Sequence, residues 1–325
     1  MVWGVSVFMV GGGRERSREN GEQAAMIRQP STAPGASHRL KTKVLSFRHK
    51  PFPTRRPGSS TMKPRQIHTL HRPAAKPNGQ PPCLFVHGGY MDSRCWDVNF
   101  LPRFNAAGYD CVALDLSGHG QSEGRERLDR FGLDDYADDV LQVMAKLPRP
   151  PILIGHSMGC AVIERVLECQ GAPAAVLLAP VPTSGTQGSI MSLALKHPDF
   201  FAKIPAISQG EMDEASLLLM RDIYFSPDMP PEGLLQFAHL IQPESAEAAA
   251  DMAGLGYRSY RSRPELPVLV MGGQFDAVFP PSSIGFTALR WNGDFKIIPH
   301  CGHMLMLDHP WPKAAAEILQ WLEMR

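Results

Sequence analysis

Long apolar runs are missing from this sequence: no stretch approaches the ~18–20 residues needed to cross a bilayer. The apolar opening VWGVSVFMV has no basic residue before it and no small-residue cleavage site just after it, and its neighbouring charges follow on the wrong side. That order argues against a secretory signal. Cysteine is scarce, with six in 325 residues, and none forms a C-x-x-C pair. No histidines cluster at metal-ligand spacing, so no metal centre is implied. Most of the cysteines sit in apolar runs, where the side chain acts as a small hydrophobe. A reducing, cytoplasmic setting fits them best. Acidic residues are absent from Met26 to Thr61, a stretch that loosely resembles an organelle transit peptide.

The near-neutral net charge of +1 hides two unlike parts. Residues 1–80 hold 15 Lys/Arg against three acids, whereas residues 81–325 hold 18 against 29. The front is basic and the body acidic, so each is read separately. Residues 1–65 form the first part, rich in Gly, Ser, Pro and Arg without a sustained apolar period. Such a composition cannot bury enough surface to offset the entropy of ordering. It is expected to be a disordered basic tail. A targeting segment, or upstream sequence with Met26 or Met62 as the start, are the other readings. A nucleic-acid role is not expected, because no set of stacking aromatics accompanies the basic residues.

From Gln66 onward the pattern becomes strand–helix–strand. QIHTLHRP reads as an edge strand ending at the turn-forming KPNG. CLFVHGG, YDCVALDL, PPILIGHS, AAVLLAP, PVLVMGG and DFKIIPH follow as strands, mostly short continuous apolar runs. Helices are expected over 133–147, directly after PPILIGHS, and in the closing PWPKAAAEILQWLEMR. The fold class is therefore α/β, a mostly parallel central sheet with helices on both faces. Residues 66–182 and 264–325 make this core. Residues 183–263 interrupt it with helix-like pieces rich in Met, Leu and Phe, read as a helical cap lining an apolar pocket.

The third strong strand leads into Gly155-His156-Ser157-Met158-Gly159, a G-x-S-x-G at a strand-to-helix junction. A sharp turn there strains the serine backbone. Side chains two positions before and after would collide with each other or with the neighbouring strand, so both are glycine. The turn lifts the Ser157 hydroxyl clear of the sheet, beside the positive end of the next helix.

Together with VHGG at 86–89, LDLSGHGQS at 114–122, MGGQFDAVFP at 271–280 and HCGHMLMLD at 300–308, this motif resembles the α/β-hydrolase superfamily. The resemblance covers roughly residues 66–325 and is closest to lysophospholipase- and esterase-like members with a helical cap. It implies a serine nucleophile at Ser157, a general base at His303 and an orienting acid at Asp276, in the chain order of that fold. His300, His309, Asp294 and Asp308 are weaker rivals by position. It also implies an oxyanion hole from the backbone N–H groups of Met158 and Gly89, with Tyr90 as the next choice for the second donor. His87 and His119 read as structural, and Asp115 as the brace of the LDLSGHG turn. Members of the superfamily often carry Arg where Ser117 stands, so that turn is expected to be braced differently.

Hydrolysis of a carboxylic ester is the function this implies: a lysophospholipid, a monoacylglycerol or a small ester with an apolar portion. No metal or organic cofactor is implied, and oligomeric state is not legible. C–C bond hydrolases, perhydrolases and lyases that use the same three residues are the alternative, as is a binding protein that kept the fold without the chemistry. Haloalkane dehalogenase and epoxide hydrolase chemistry would need aspartate at Ser157.

Overall fold

In the computed structural model the described residues are 64–254 and 264–325. The tail reading of residues 1–63 lies outside them, as does the end of the expected cap at 255–263. Seven strands form one sheet: β1 (Thr69–Arg72), β2 (Cys83–Val86), β3 (Cys111–Leu114), β4 (Ile152–His156), β5 (Ala175–Leu178), β6 (Val268–Gly273) and β7 (Asp294–Ile298), in the order β1-β3-β2-β4-β5-β6-β7. Only the β1–β3 pair is antiparallel; the other five pairings run parallel.

The helices are α1 (Arg94–Asp97), α2 (Phe100–Ala106), α3 (Leu133–Met144), α4 (Met158–Leu167), α5 (Gln187–Lys196), α6 (Phe200–Ser208), α7 (Glu214–Tyr224), α8 (Pro231–Ala238), α9 (Ala246–Ala253), α10 (Pro281–Trp291) and α11 (Trp311–Glu323). Strands β2 to β6 are wholly buried, which explains their unbroken apolar sequence. Alternate residues feed two cores. Cys83 and Phe85 face α1, α2 and α11; Leu84 and Val86 face α3, α4 and α10. The segment between β5 and β6 folds as α5–α9 and adds Phe200, Ile207, Met220 and Phe237 to the first of these cores. Among the described residues no helix is long and apolar enough to cross a membrane.

Order of pairing decides where a site can form. From β2 the chain steps to β3 on one side, then returns across β2 to β4 on the other. The crevice of such a reversal lies beyond the carboxyl ends of β2 and β4. Val86 pairs with Gly155 there, so the two loops that leave these strands, His87–Tyr90 and Ser157–Met158, emerge side by side.

Arg65 corrects the expected boundary of the tail. Its side chain is buried, and its Nε donates to Asp139 Oδ1 at 2.8 Å, so the body begins before Gln66. The same Asp139 accepts from Ser117 N at 2.8 Å and Ser117 Oγ at 3.0 Å. A guanidinium from the start of the body thus supplies the charge that position 117 lacks, and the LDLSGHG turn is braced through Asp139.

Candidate active site

Ser157 sits at φ 50°, ψ −116°, between β4 and α4. A non-glycine residue at positive φ is costly and persists only where its surroundings dictate it. The two flanking glycines show how tightly the turn is drawn. A Cβ on Gly155 would lie 2.9 Å from the carbonyl of Gly159, and one on Gly159 would lie 2.3 Å from the Val86 carbonyl oxygen of β2. The first is a clash across the turn and the second a clash with the neighbouring strand. Both were expected from the motif.

Asp276 lies three residues beyond β6, and His303 five beyond β7. Their side chains, both buried, meet with His303 Nδ1 at 2.9 Å from Asp276 Oδ2. Asp276 Oδ1 accepts from the N–H groups of Val278 (2.9 Å) and Phe279 (2.7 Å), which fix the carboxylate in plane. With a carboxylate as its partner, Nδ1 carries a proton, so in the neutral ring Nε2 is the nitrogen with the lone pair. The ring is held edge-on by Phe279, with centroids 5.3 Å apart. His303 and Ser157 line one cavity of about 140 Å³, together with Gly89 and Met158. The rivals lie elsewhere: His300 and His309 are exposed, and Asp294 binds the Trp321 indole at 2.6 Å.

Asp308 has a different task. Its buried carboxylate accepts from Gly302 N (2.6 Å), Ser226 N (2.9 Å) and Ser226 Oγ (2.7 Å), and so fastens the loop before His303 to the segment after α7. Met304 N adds a bond to Tyr224 O at 3.0 Å. His156, beside Ser157, donates from Nε2 to the His303 carbonyl at 3.0 Å. Burial, with His303 nearby, holds its pKa well below the usual value, so it stays neutral.

The expected second choice of oxyanion donor fails. Tyr90 N–H is engaged, donating to Glu244 Oε2 at 3.1 Å. That carboxylate, buried between α8 and α9, also receives Tyr136 Oη (3.0 Å) and Ser245 N (2.7 Å), and lies 3.2 Å from His119 Nε2. His119 Nδ1 lies 3.2 Å from the Ser117 carbonyl, an acceptor only. Three certain donors on two oxygens favour an ionised carboxylate, to which Nε2 then donates as part of an imidazolium. Burial opposes both charges, but the pairing outweighs it: Glu244 titrates below its ordinary range and His119 above. His119 is structural, as expected; Glu244 carried no sequence signal, since Tyr90 stands 154 residues away. Asp115 braces its turn through Ser93 N (2.8 Å) and Gln121 N (2.9 Å). Among the described residues no group of three or more His, Cys, Asp or Glu side chains could hold a metal ion.

A model of the alpha/beta hydrolase family matches residues 83–317, from β2 into α11. The chain belongs to the alpha/beta hydrolase family. Among curated relatives of this hydrolase-family chain, a pyrethroid hydrolase of Sphingobium wenxiniae is 26% identical over 180 residues, 50% of this chain and 60% of that protein. Protein phosphatase methylesterase 1 of Bos taurus is 37% identical over 86 residues, 25% of this chain and 22% of that protein. The matches therefore span less than two thirds of these relatives. Among solved structures, one assigned as a non-heme bromoperoxidase from Mycobacterium tuberculosis aligns with a TM-score of 0.64 at 20% identity, over 85% of this chain and 99% of that one. That likeness is one of fold.

Proposed function

We propose that the protein hydrolyses a neutral carboxylic ester through an acyl-enzyme on Ser157. The carrying observation is the 2.9 Å bond from His303 Nδ1 to Asp276, which makes Nε2 the basic nitrogen of the neutral ring, on a residue that lines the same cavity as Ser157. In this reading Nε2 takes the hydroxyl proton as Ser157 Oγ attacks the ester carbonyl, and the Asp276 carboxylate steadies the imidazolium that forms. The N–H groups of Met158 and Gly89 receive the oxyanion; each such donor is worth on the order of 3 kcal/mol in the transition state. The imidazolium then protonates the departing alcohol. Water, deprotonated by the same nitrogen, releases the acid.

Size and lining of the cavity favour a small ester among the three classes the family resemblance allowed. A volume of about 140 Å³ is close to that of an engineered cavity, about 150 Å³, that holds one benzene ring. That room suits a single ring or a short acyl chain. Five methionines, Met91, Met158, Met220, Met252 and Met304, line it, and their flexible thioethers adapt to varied apolar shapes. The relative named a methylesterase supports ester cleavage, and the one named a pyrethroid hydrolase supports hydrolysis.

Labelling with a fluorophosphonate and turnover of a chain-length series of 4-nitrophenyl esters test this. Ser157→Ala should abolish labelling and lower kcat by roughly 10⁶-fold, as removal of a serine nucleophile does elsewhere. Turnover should peak at short acyl chains. Equal labelling of the variant would remove the nucleophile assignment. Turnover of a carbon–carbon substrate with no ester hydrolysed would transfer the same residues to the other chemistry.

A further inference from the structure

Two tyrosines interrupt the apolar wall of the cavity. Tyr90 leaves the loop after β2, and Tyr224 ends α7, with its ring 5.9 Å from that of His303. Both are partly buried. Among the described residues neither phenol hydroxyl meets a hydrogen-bonding partner. A phenol that gives up water to a bound molecule needs another acceptor, because an unpaired donor in a dried site is costly. The backbone at Tyr90 adds a second, independent observation. It holds φ at 63°, a left-handed conformation that is an outlier for a bulky side chain. Tyr90 N is tied to Glu244 at 3.1 Å, and Tyr90 O accepts from Gln242 N at 2.9 Å. Gln242 is anchored in turn, donating from Nε2 to Asp92 Oδ2 at 2.9 Å. The fold thus holds a strained residue through both of its flanking peptide groups. Such strain gathers where it positions something for use.

We infer that Tyr90 and Tyr224 form a polar subsite that donates hydrogen bonds to a second acceptor oxygen of the substrate, an ether or ketone oxygen besides those of the reacting ester. This deepens the ester-hydrolase reading and rests on it. A wholly apolar substrate that expelled water from the cavity would strand both phenols. One with an oxygen at the right place would pair them. Discrimination between such substrates is stronger than discrimination between chain lengths, because a site built to hydrogen-bond penalises the analogue that lacks the partner. Burial raises the pKa of both phenols, and each lies near a further negative or ionisable group, so they act as donors and not as bases.

Isosteric ester pairs in which one methylene is replaced by oxygen test the subsite on either side of the reacting bond. On the acyl side these are 4-nitrophenyl pentanoate and 4-nitrophenyl 3-methoxypropanoate, with the 4-oxopentanoate as the ketone. On the alcohol side they are butyl butanoate and 2-methoxyethyl butanoate. Wild type should favour at least one oxygen-bearing member by about five- to tenfold in kcat/KM over its carbon isostere, the worth of one net hydrogen bond. Tyr224→Phe and Tyr90→Phe, made separately, keep the rings and should each erase most of that preference, leaving the carbon isosteres within about threefold. No preference in wild type, or one that survives in both variants, overturns the subsite while leaving the ester reading intact. If wild type hydrolyses none of the esters, the underlying reading fails and the subsite with it.

Discussion

The two walls of the cavity are built by different means. On the sheet side, positions follow from backbone register: Val86 beside Gly155 sets the loop after β2 next to Ser157, and the ends of β6 and β7 deliver Asp276 and His303. On the insertion side, helices α5–α9 offer mostly apolar side chains, and a few polar rivets tie them down. Glu244 and Gln242 grip the loop after β2, while Ser226 grips Asp308 beside the histidine loop. The difference predicts a division of labour. Changes to the sheet wall should cost rate with little loss of fold. Changes to the rivets should cost stability first.

Asp276→Asn is the severest way to sharpen that contrast. An amide keeps an acceptor for Val278 N and Phe279 N, so the loop is preserved, but its NH₂ can face His303 Nδ1 and favour the wrong tautomer. A loss of about 10⁴-fold in kcat is expected, with KM and the melting temperature nearly unchanged. Steady-state kinetics beside calorimetry would check it. A loss below tenfold would mean that Nδ1 does not need the carboxylate, and the sheet wall would lose its claim on the chemistry.

This wall was also the legible one. Gly155 and Ser157 could be named beforehand because their motif ends a short apolar strand, and a strand announces itself by local pattern; Asp276 and His303 were named by the family resemblance, each after a strand of that kind. The strands were placed to within a few residues for the same reason. The insertion gave less away. Pieces of α5–α8 were visible from helical spacing, but α9, rich in alanine and acids, was not, nor was α10 with its Pro280-Pro281 start. Glu244, Gln242 and Ser226 were missed entirely. Their significance lies in partners 82 to 154 residues distant, and no local pattern encodes such a meeting. Tyr90 was proposed for its N–H, and its phenol was overlooked.

Glu244→Ala breaks the comparison from the other side. It strands the His119 imidazolium, Tyr136 Oη and two backbone N–H groups within the protein. Removing one partner of a buried ion pair costs about 3–5 kcal/mol, well above any surface pair. The penalty should depend on pH in a defined sense. Glu244 is depressed in the folded state, so its contribution is present above its unfolded value near 4.5 and is lost as pH falls through the lower folded value. His119 is raised, so its contribution is full below its unfolded value near 6.5 and is lost as pH rises through the higher folded one. The gap in unfolding free energy between wild type and variant should therefore be widest between about pH 4.5 and 6.5. Urea titrations across that range would show it. A gap that stays flat from pH 4 to 9 would mean that the pair is not charged.

Ser226→Ala should have the smallest effect and asks the finest question. It deletes the 2.7 Å bond from Ser226 Oγ to Asp308 while the backbone bond from Ser226 N remains. A hydrogen bond to a charged acceptor contributes about 1.5–3 kcal/mol, and the bonds that Asp308 retains should keep this variant near the lower figure. The Gly302 N–H still holds Asp308, so the loop that carries His303 should keep its place. Melting temperature is expected to fall by a few degrees with kcat changed less than threefold. A drop in kcat of tenfold or more at unchanged stability would reverse the assignment of roles. The insertion would then set the position of the imidazole during turnover, and the sheet wall alone would not account for the chemistry.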